Sequence, residues 1–557
     1  MSSGWFETLS SADPPTAAAV PAGIRDVLER RLAAGHAPGA VVAVTDRHRT
    51  LAVLDAGLAD AAAERRYDGD SLIRLDSLSK PLVALVTLQE MERGTLALDT
   101  PIPDLLPWCE LPPSPKPITV HHLMSHTAGL PRGSDTWLDP LFPVHRLRAL
   151  RPVGTPGEQF HYSNHGWKLL GLLLEELTGR PLSDLLRERI LEPLGMASSR
   201  ARLEPRDISE LVPRYCRVRP GRPVLADLPL AQIPWPPHAA ADGCVAASVD
   251  DVCRFARAML QHGATPDGGR LVAPDTFNLL VERWAQEDEV GWYGYGWWIY
   301  ERRGQTFYMH PGYQPGSACI LILDPVSGIA VFVAANGLLD VRTIAEYCLA
   351  SVRAAADGSA PPQPPRTRRA ERIPSAEDYV GEYHGASTFT LALEGDGLRF
   401  HGAGLDQLLQ RVDPQVQSAF PADTFVLPSF PFDDHYLEFE RSADGVVTGV
   451  HHGARRFDRG MHRLDATPLP ADWDAFCGDY RSQNPLDPSI TVVGRRGRLW
   501  LLEEWETVEL HPLGGGEFRV GSWEQSPEYL VFDAPTPHGT ARVRTGDGEG
   551  VWYRISA

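Results

Sequence analysis

A serine hydroxyl near its free pKa is a poor nucleophile and needs a base within hydrogen-bond reach. Ser77-Leu78-Ser79-Lys80 brings a hydroxyl and an amine together just ahead of the apolar stretch Pro81-Leu82-Val83-Ala84-Leu85-Val86-Thr87-Leu88. A helix beginning at Ser77 would carry Lys80 one turn on and on the same face. Pro81 is compatible with that start, because the first four N–H groups of a helix have no intrahelical partner. Those free N–H groups, with the partial positive charge of the helix end, suit an oxyanion forming on a substrate. The predicted chemistry is nucleophilic attack by Ser77. Two fixed positions in four residues recur by chance in a chain of 557, so the remaining sequence decides their weight.

Elements able to position such a pair are legible. Residues 24–34 read as an amphipathic helix, and 39–45 as a buried strand followed by a polar turn. Residues 167–177 read as a helix closed by Gly179. Two β-rich runs, 319–323 and 329–333, flank Asp324-Pro325-Val326-Ser327-Gly328, a hairpin signal. Strands near both ends with helices between predict an α/β (α+β) domain over residues 1–355, an antiparallel sheet flanked by helices.

Residues 356–372 hold Pro361, Pro362, Pro364 and Pro365, then Arg366, Arg368 and Arg369, and read as a semi-rigid, solvated linker. Beyond it the chain repeats itself. Asp378-Tyr379-Val380-Gly381-Glu382-Tyr383 matches Ala475-Phe476-Cys477-Gly478-Asp479-Tyr480, and Gly397-Leu398-Arg399-Phe400 matches Gly497-Arg498-Leu499-Trp500. Short alternating strands and turn residues predict two small antiparallel β-barrel domains, 373–465 and 466–557, since closure removes exposed edges.

Composition narrows the partners. The formal net charge of −19 argues against nucleic acid and against an anionic membrane surface. No stretch approaches the roughly 20 apolar residues needed to span a bilayer, and the N-terminus shows no signal-peptide pattern. The seven cysteines form no C-x-x-C pair and read as reduced thiols. A cytoplasmic protein is expected, acting on a small molecule or short peptide, with a homodimer as the assembly considered. His121, His122 and His126 tempt a metal reading, but no acidic residue accompanies them, and no metal or other cofactor is expected. There is no G-x-S-x-G elbow, P-loop or dinucleotide fingerprint. The run 292–298, aromatic and glycine-rich, reads equally as pocket lining or core strand.

Two further segments stand in order after Ser77 and Lys80. Tyr162-Ser163-Asn164 follows a Pro-Gly turn, and His310-Pro311-Gly312 precedes the 319–323 strand. With the connecting segments 118–130, 191–196 and 241–248, this arrangement resembles the serine β-lactamase and penicillin-binding protein superfamily over residues 20–350. It is most similar to the branch holding class C β-lactamases, D-Ala-D-Ala carboxypeptidases, D-aminopeptidases and esterases. The resemblance implies an acyl-enzyme on Ser77, with Lys80 and Tyr162 as a coupled pair that holds its proton at either end. Asn164 would bind the substrate amide or Lys80, or cap a helix. The N–H groups of Ser77 and Tyr313 would form the oxyanion hole.

His310-Pro311-Gly312 departs from the lactamase pattern, in which lysine and threonine precede the glycine. A histidine mostly neutral at pH 7 removes the fixed charge for a substrate carboxylate. Gly312 would let backbone approach the substrate closely. The departure favours the peptidase or esterase branch over lactam hydrolysis, and a catalytic domain followed by two β-barrel domains resembles the D-aminopeptidase arrangement, which implies an aminopeptidase or D-peptidase-like activity. An esterase, amidase or acyltransferase on the same residues is the near rival, and a catalytically idle binding protein the distant one.

Overall fold

A strand buried along its whole length needs both faces of its sheet covered. Gly39–Thr45, Ser317–Asp324 and Ile329–Ala335 are each buried at every residue. The computed structural model describes residues 14–33, 37–133, 139–217, 229–235, 240–288, 291–302, 304–356, 358–365, 373–412, 423–427, 429, 432, 435–460, 467–483, 489–502 and 507–555, with side chains from residue 23. They divide into two compact units, the first running to Cys216 and resuming over Leu230–Pro365.

The first unit holds helix α1 (Pro14–Leu32), strands β1 (Gly39–Thr45) and β2 (Thr50–Gly57), helices α2 (Lys80–Glu92), α3 (Asn164–Thr178) and α4 (Val249–Leu260), then β3 (Ala285–Gln286), β4 (Gly291–Tyr293), β5 (Trp298–Arg302), β6 (Gln305–Gln314), β7 (Ser317–Asp324), β8 (Ile329–Ala335) and α5 (Val341–Ala356). The eight strands form one antiparallel sheet in the order β2-β1-β8-β7-β6-β5-β4-β3. Alternation sorts its side chains. Ala40, Val42, Val44, Ile320, Ile322, Val331 and Val333 share one core with Ile24, Val27 and Leu28 of α1 and Ile344, Ala345 and Cys348 of α5. Helix α4 packs on β1, β7 and β8 from the other side.

Local chemistry sets the element ends. The β7–β8 hairpin forms as expected, with Asp324 Oδ1 accepting the Val326 and Ser327 N–H groups and Gly328 at φ 75°. Helix α3 starts three residues before the expected Trp167, because Ser163 Oγ accepts the Gly166 N–H and caps it. Gly179, at φ 64°, ends it as expected. Helix α1 stops at Leu32; Ala34 of the expected helix lies outside the described residues.

In the second unit, nine strands from Gly381–His384 to Arg455–Arg459 form one sheet. Its two edges, Leu405–Leu408 and Gln410–Arg411, are joined through Leu409, so the curl closes by a covalent seam instead of hydrogen bonds. Eight later strands, from Gly478–Arg481 to Val551–Arg554, form a fully closed barrel. The repeat is structural. Ser375 and Asp472, both left-handed, precede matching 3₁₀ turns. Tyr383 and Tyr480, both fully buried, donate to the carbonyls of Tyr379 and Phe476 at 2.7 Å. The second pair of matching segments is shifted by one from the sequence alignment: Leu398 and Phe400 correspond to the inward Leu499 and Leu501, while Trp500 faces outward. A one-residue slip would turn every side chain to the wrong face, so burial decides the register. Arg366, Arg368 and Arg369 of the linker lie outside the described residues.

Asn336 ties the sheet's first unit together at the end of β8. Its Oδ1 accepts the Gly39 N–H at 2.9 Å, and its Nδ2 donates to the Leu58 and Ala59 carbonyls at 3.0 and 2.9 Å. Asn336→Ala leaves buried backbone groups unsatisfied and is expected to lower unfolding free energy by about 2–4 kcal/mol in a denaturant titration.

Candidate active site

The strand Leu72–Arg74 runs into Asp76, which takes the left-handed conformation at φ 48°, and a 3₁₀ turn over Asp76–Ser79. The helix expected to begin at Ser77 therefore begins as this tighter turn, with α2 proper starting at Lys80. Left-handed backbone is unfavourable for a non-glycine residue, and buried contacts hold it here. The Asp76 carboxylate lies 3.0 Å from Arg74 Nε, and Ser79 Oγ accepts the Val245 N–H at 3.0 Å. Helix α2 is buried from Lys80 to Glu90, which accounts for its nearly unbroken apolar run.

Two glycines let neighbouring backbone reach this turn. A Cβ on Gly312 would stand 2.1 Å from the Leu75 carbonyl oxygen and 2.8 Å from Cys319 Sγ. One on Gly296, at φ 82°, would stand 2.8 Å from Pro81 N. Close approach at Gly312 is thus to the turn that carries Ser77.

Lys80 is fully buried. Its Nζ donates to Asn164 Oδ1 at 3.0 Å and to the Asp242 carbonyl at 2.9 Å, and it lies 3.0 Å from Ser77 Oγ. Asn164 is placed by the start of α3; Ser163 is the helix cap, leaving the Asn164 amide for Lys80. Tyr162 meets Lys80 through its ring face, with Nζ 4.8 Å from the centroid. The same ring stacks on Trp298 at 5.4 Å and packs on His126 at 4.3 Å.

His310 points into the protein, away from the cleft. Its Nδ1 lies 2.7 Å from the Pro311 carbonyl, which only accepts, so Nδ1 carries the hydrogen and Nε2 accepts from the Tyr293 hydroxyl at 3.2 Å. Burial, then the nearby Lys80 charge, pushes its pKa well below the usual histidine range. Strand alternation turns Pro311 and Tyr313 to the cleft instead. Strand β6 pairs with β5 only from Gln305 to Met309, so its later edge is left to the turn carrying Ser77.

Ser77, Tyr162, Asn164, Pro311 and Tyr313 line one cleft of about 490 Å³. Phe160 and Glu287, not singled out by sequence, share it with Trp298. The aromatic run divides by position: Tyr293, Tyr295 and Trp297 are core, whereas Trp298 lines the cleft. Asp242 serves through a backbone carbonyl, for which a residue type gives no signal. The histidines expected to be structural have separate partners: His121 the Tyr295 hydroxyl at 2.7 Å, His122 the Thr119 N–H at 3.1 Å, His126 the Ser163 N–H at 2.9 Å.

The family model described as Beta-lactamase matches residues 24–347. The chain is 29% identical over 331 residues to Penicillin-binding protein 4 of Amycolatopsis lactamdurans, covering 54% of this chain and 81% of that protein. It is 33% identical over 216 residues to Esterase EstB of Burkholderia gladioli, covering 34% of this chain and 54% of that one. The octameric penicillin-binding protein homologue from Pyrococcus abyssi has the same fold, with a TM-score of 0.56 at 22% identity over 79% of this chain and 99% of that one. The family match spans more than half of the sequence and contains the whole Ser77–Lys80–Asn164 arrangement, so the chain belongs to the Beta-lactamase family and is a serine hydrolase.

Proposed function

We propose that the chain hydrolyses a peptide or amide bond of a short, amine-bearing substrate through an acyl-enzyme on Ser77. The observation that carries the mechanism is the commitment of Lys80. Asn164 Oδ1 and the Asp242 carbonyl can only accept, so they take two N–H groups of Lys80, and the remaining direction faces Ser77 Oγ. In the neutral amine that direction is a lone pair. It takes the Ser77 proton as the hydroxyl attacks the substrate carbonyl. The ammonium so formed keeps both acceptors and the ring face of Tyr162.

Tyr162 lines the cleft beside Lys80, and in this proposal it relays the proton to the leaving group. The N–H groups of Ser77 and Tyr313 stabilise the tetrahedral oxyanion, typically by about 3–4 kcal/mol per donor. Water then attacks the acyl-enzyme with the Lys80–Tyr162 pair working in reverse. Asn164 acts on Lys80, and His310 supports the wall through Tyr293 and Trp298.

Glu287 supports an aminoacyl substrate. It lines the same cleft, stands exposed there, and accepts the Tyr300 hydroxyl at 3.1 Å. A substrate ammonium entering the cleft would form a charge-assisted hydrogen bond with this carboxylate. The likeness to Esterase EstB favours a second reading, ester hydrolysis by the same groups with an alcohol leaving. Seven free cysteines support a reducing compartment, the cytoplasm. Among the described residues, no helix is long and apolar enough to cross a membrane.

A fluorophosphonate probe should add to the intact protein and be lost in Ser77→Ala; absence of an adduct on the wild-type chain, read by mass spectrometry, would sink the mechanism. Glu287→Gln should lower kcat/KM for an aminoacyl p-nitroanilide about tenfold while sparing its N-acetylated form. Equal losses on both substrates would remove Glu287 from amine recognition.

A further inference from the structure

Lys168 lies on α3, one helical turn beyond Asn164, and is 1% exposed. An ammonium in such a place is costly unless it is paired. Its Nζ stands 3.6 Å from Asp242 Oδ2, a carboxylate with no exposed surface. Asp242 is the residue whose backbone carbonyl accepts from Lys80 at 2.9 Å. One helix therefore reaches the catalytic amine twice, directly through Asn164 and indirectly through Lys168 and Asp242. Contact between α3 and this turn is tight, since a Cβ on Gly171 would come within 2.8 Å of Ala241 Cβ.

We propose that Lys168 is a positioning residue for the reaction at Ser77: it anchors Asp242 so that the Asp242 carbonyl holds the Lys80 amine on the Ser77 hydroxyl, and the two opposite charges balance the field at Lys80. This rests on the acyl-enzyme reading given above. Neither side chain lines the cleft, so neither is placed to touch substrate. The titratable groups facing Lys80 come from several elements. Ser77 shares its turn, Tyr162 precedes α3, His126 follows the short helix Val120–Met124, and His310 lies on β6. Both histidines are kept neutral by burial, and Lys80 adds to the effect. Beside that set stands the Lys168–Asp242 ion pair.

The signs of the test follow. The proposed base acts in its unprotonated form, so kcat/KM has an acid limb along which it rises with pH. Lys168→Met removes a positive charge near Lys80, favours the ammonium, and should move the acid limb of kcat/KM up by about one pH unit. Asp242→Asn keeps the carbonyl but removes a negative charge near Lys80, and should move the limb down by a similar amount. The double variant K168M/D242N should return the midpoint to the wild-type value with a lower kcat. These profiles are measured on the full chain with whichever chromogenic ester or anilide it turns over. Unmoved midpoints, or single variants shifting in the same direction, would overturn the proposal. If the single variants fail to fold, the double variant decides by itself: a kcat reduced at least fivefold with KM unchanged supports the positioning role, and an unchanged kcat overturns it. Failure of the acyl-enzyme reading is separately visible, as a wild-type chain with no turnover and no Ser77 adduct.

Discussion

The amine of a fully buried lysine has to be given hydrogen-bond partners, and the first unit of this protein is arranged around that demand at Lys80. Water cannot supply them, so the fold does: an amide from the start of α3 and a carbonyl from the Asp242 turn accept its N–H groups, and a serine hydroxyl from the turn before α2 meets the remaining direction. These three come from positions far apart in the chain, and the sheet and helices must close correctly before Lys80 is satisfied. The same interaction that makes the site chemically competent thus reports that the unit has folded. It also explains why Ser163, and not Asn164, caps α3: the cap frees the neighbouring amide to serve the lysine.

A second constraint is steric. The Ser77 turn is wedged between β6 and the strand pair Leu72–Arg74 and Ala246–Ser248, with backbone so near that Gly312 has no room for a Cβ. With the strand pressed on the turn, alternation leaves one set of side chains facing the core and the other facing the cleft. His310 falls in the core set, where a neutral ring joins Tyr293 and Trp298. Pro311 and Tyr313 fall in the cleft set. The wall opposite Ser77 is therefore apolar and aromatic, and Glu287 brings a charged group into the cleft beside it.

The second unit shows how far pattern carries without chemistry. Tyr383 and Tyr480 play one structural part in two β-domains, each closing a 3₁₀ turn by a phenol-to-carbonyl bond, and the hexapeptide match already pointed to that. The later match was legible only to within one residue, because glycine at a turn and arginine on an outer face tolerate either alignment. Inward Leu398 and Leu499 do not, and they fix the pairing. The first of the two sheets closes through Leu409, a seam that strand patterns cannot announce.

Sequence by itself determined the apolar helix after Ser77, the buried strands, the hairpin at Asp324, the glycine ending α3 and the repeat in the β-rich half. Each of these rests on local chemistry: hydrogen bonds and steric preferences acting within a few residues, or a period that reads directly as a face. Tertiary structure decided the direction of the His310 ring, the meeting of Tyr162 with Lys80 through its face, and the place of Glu287 in the cleft. It also decided that an unremarkable carbonyl at Asp242, backed by Lys168, completes the lysine's surroundings. Those outcomes depend on which distant surfaces touch and on which side of a strand faces inward, and no residue carries that information alone.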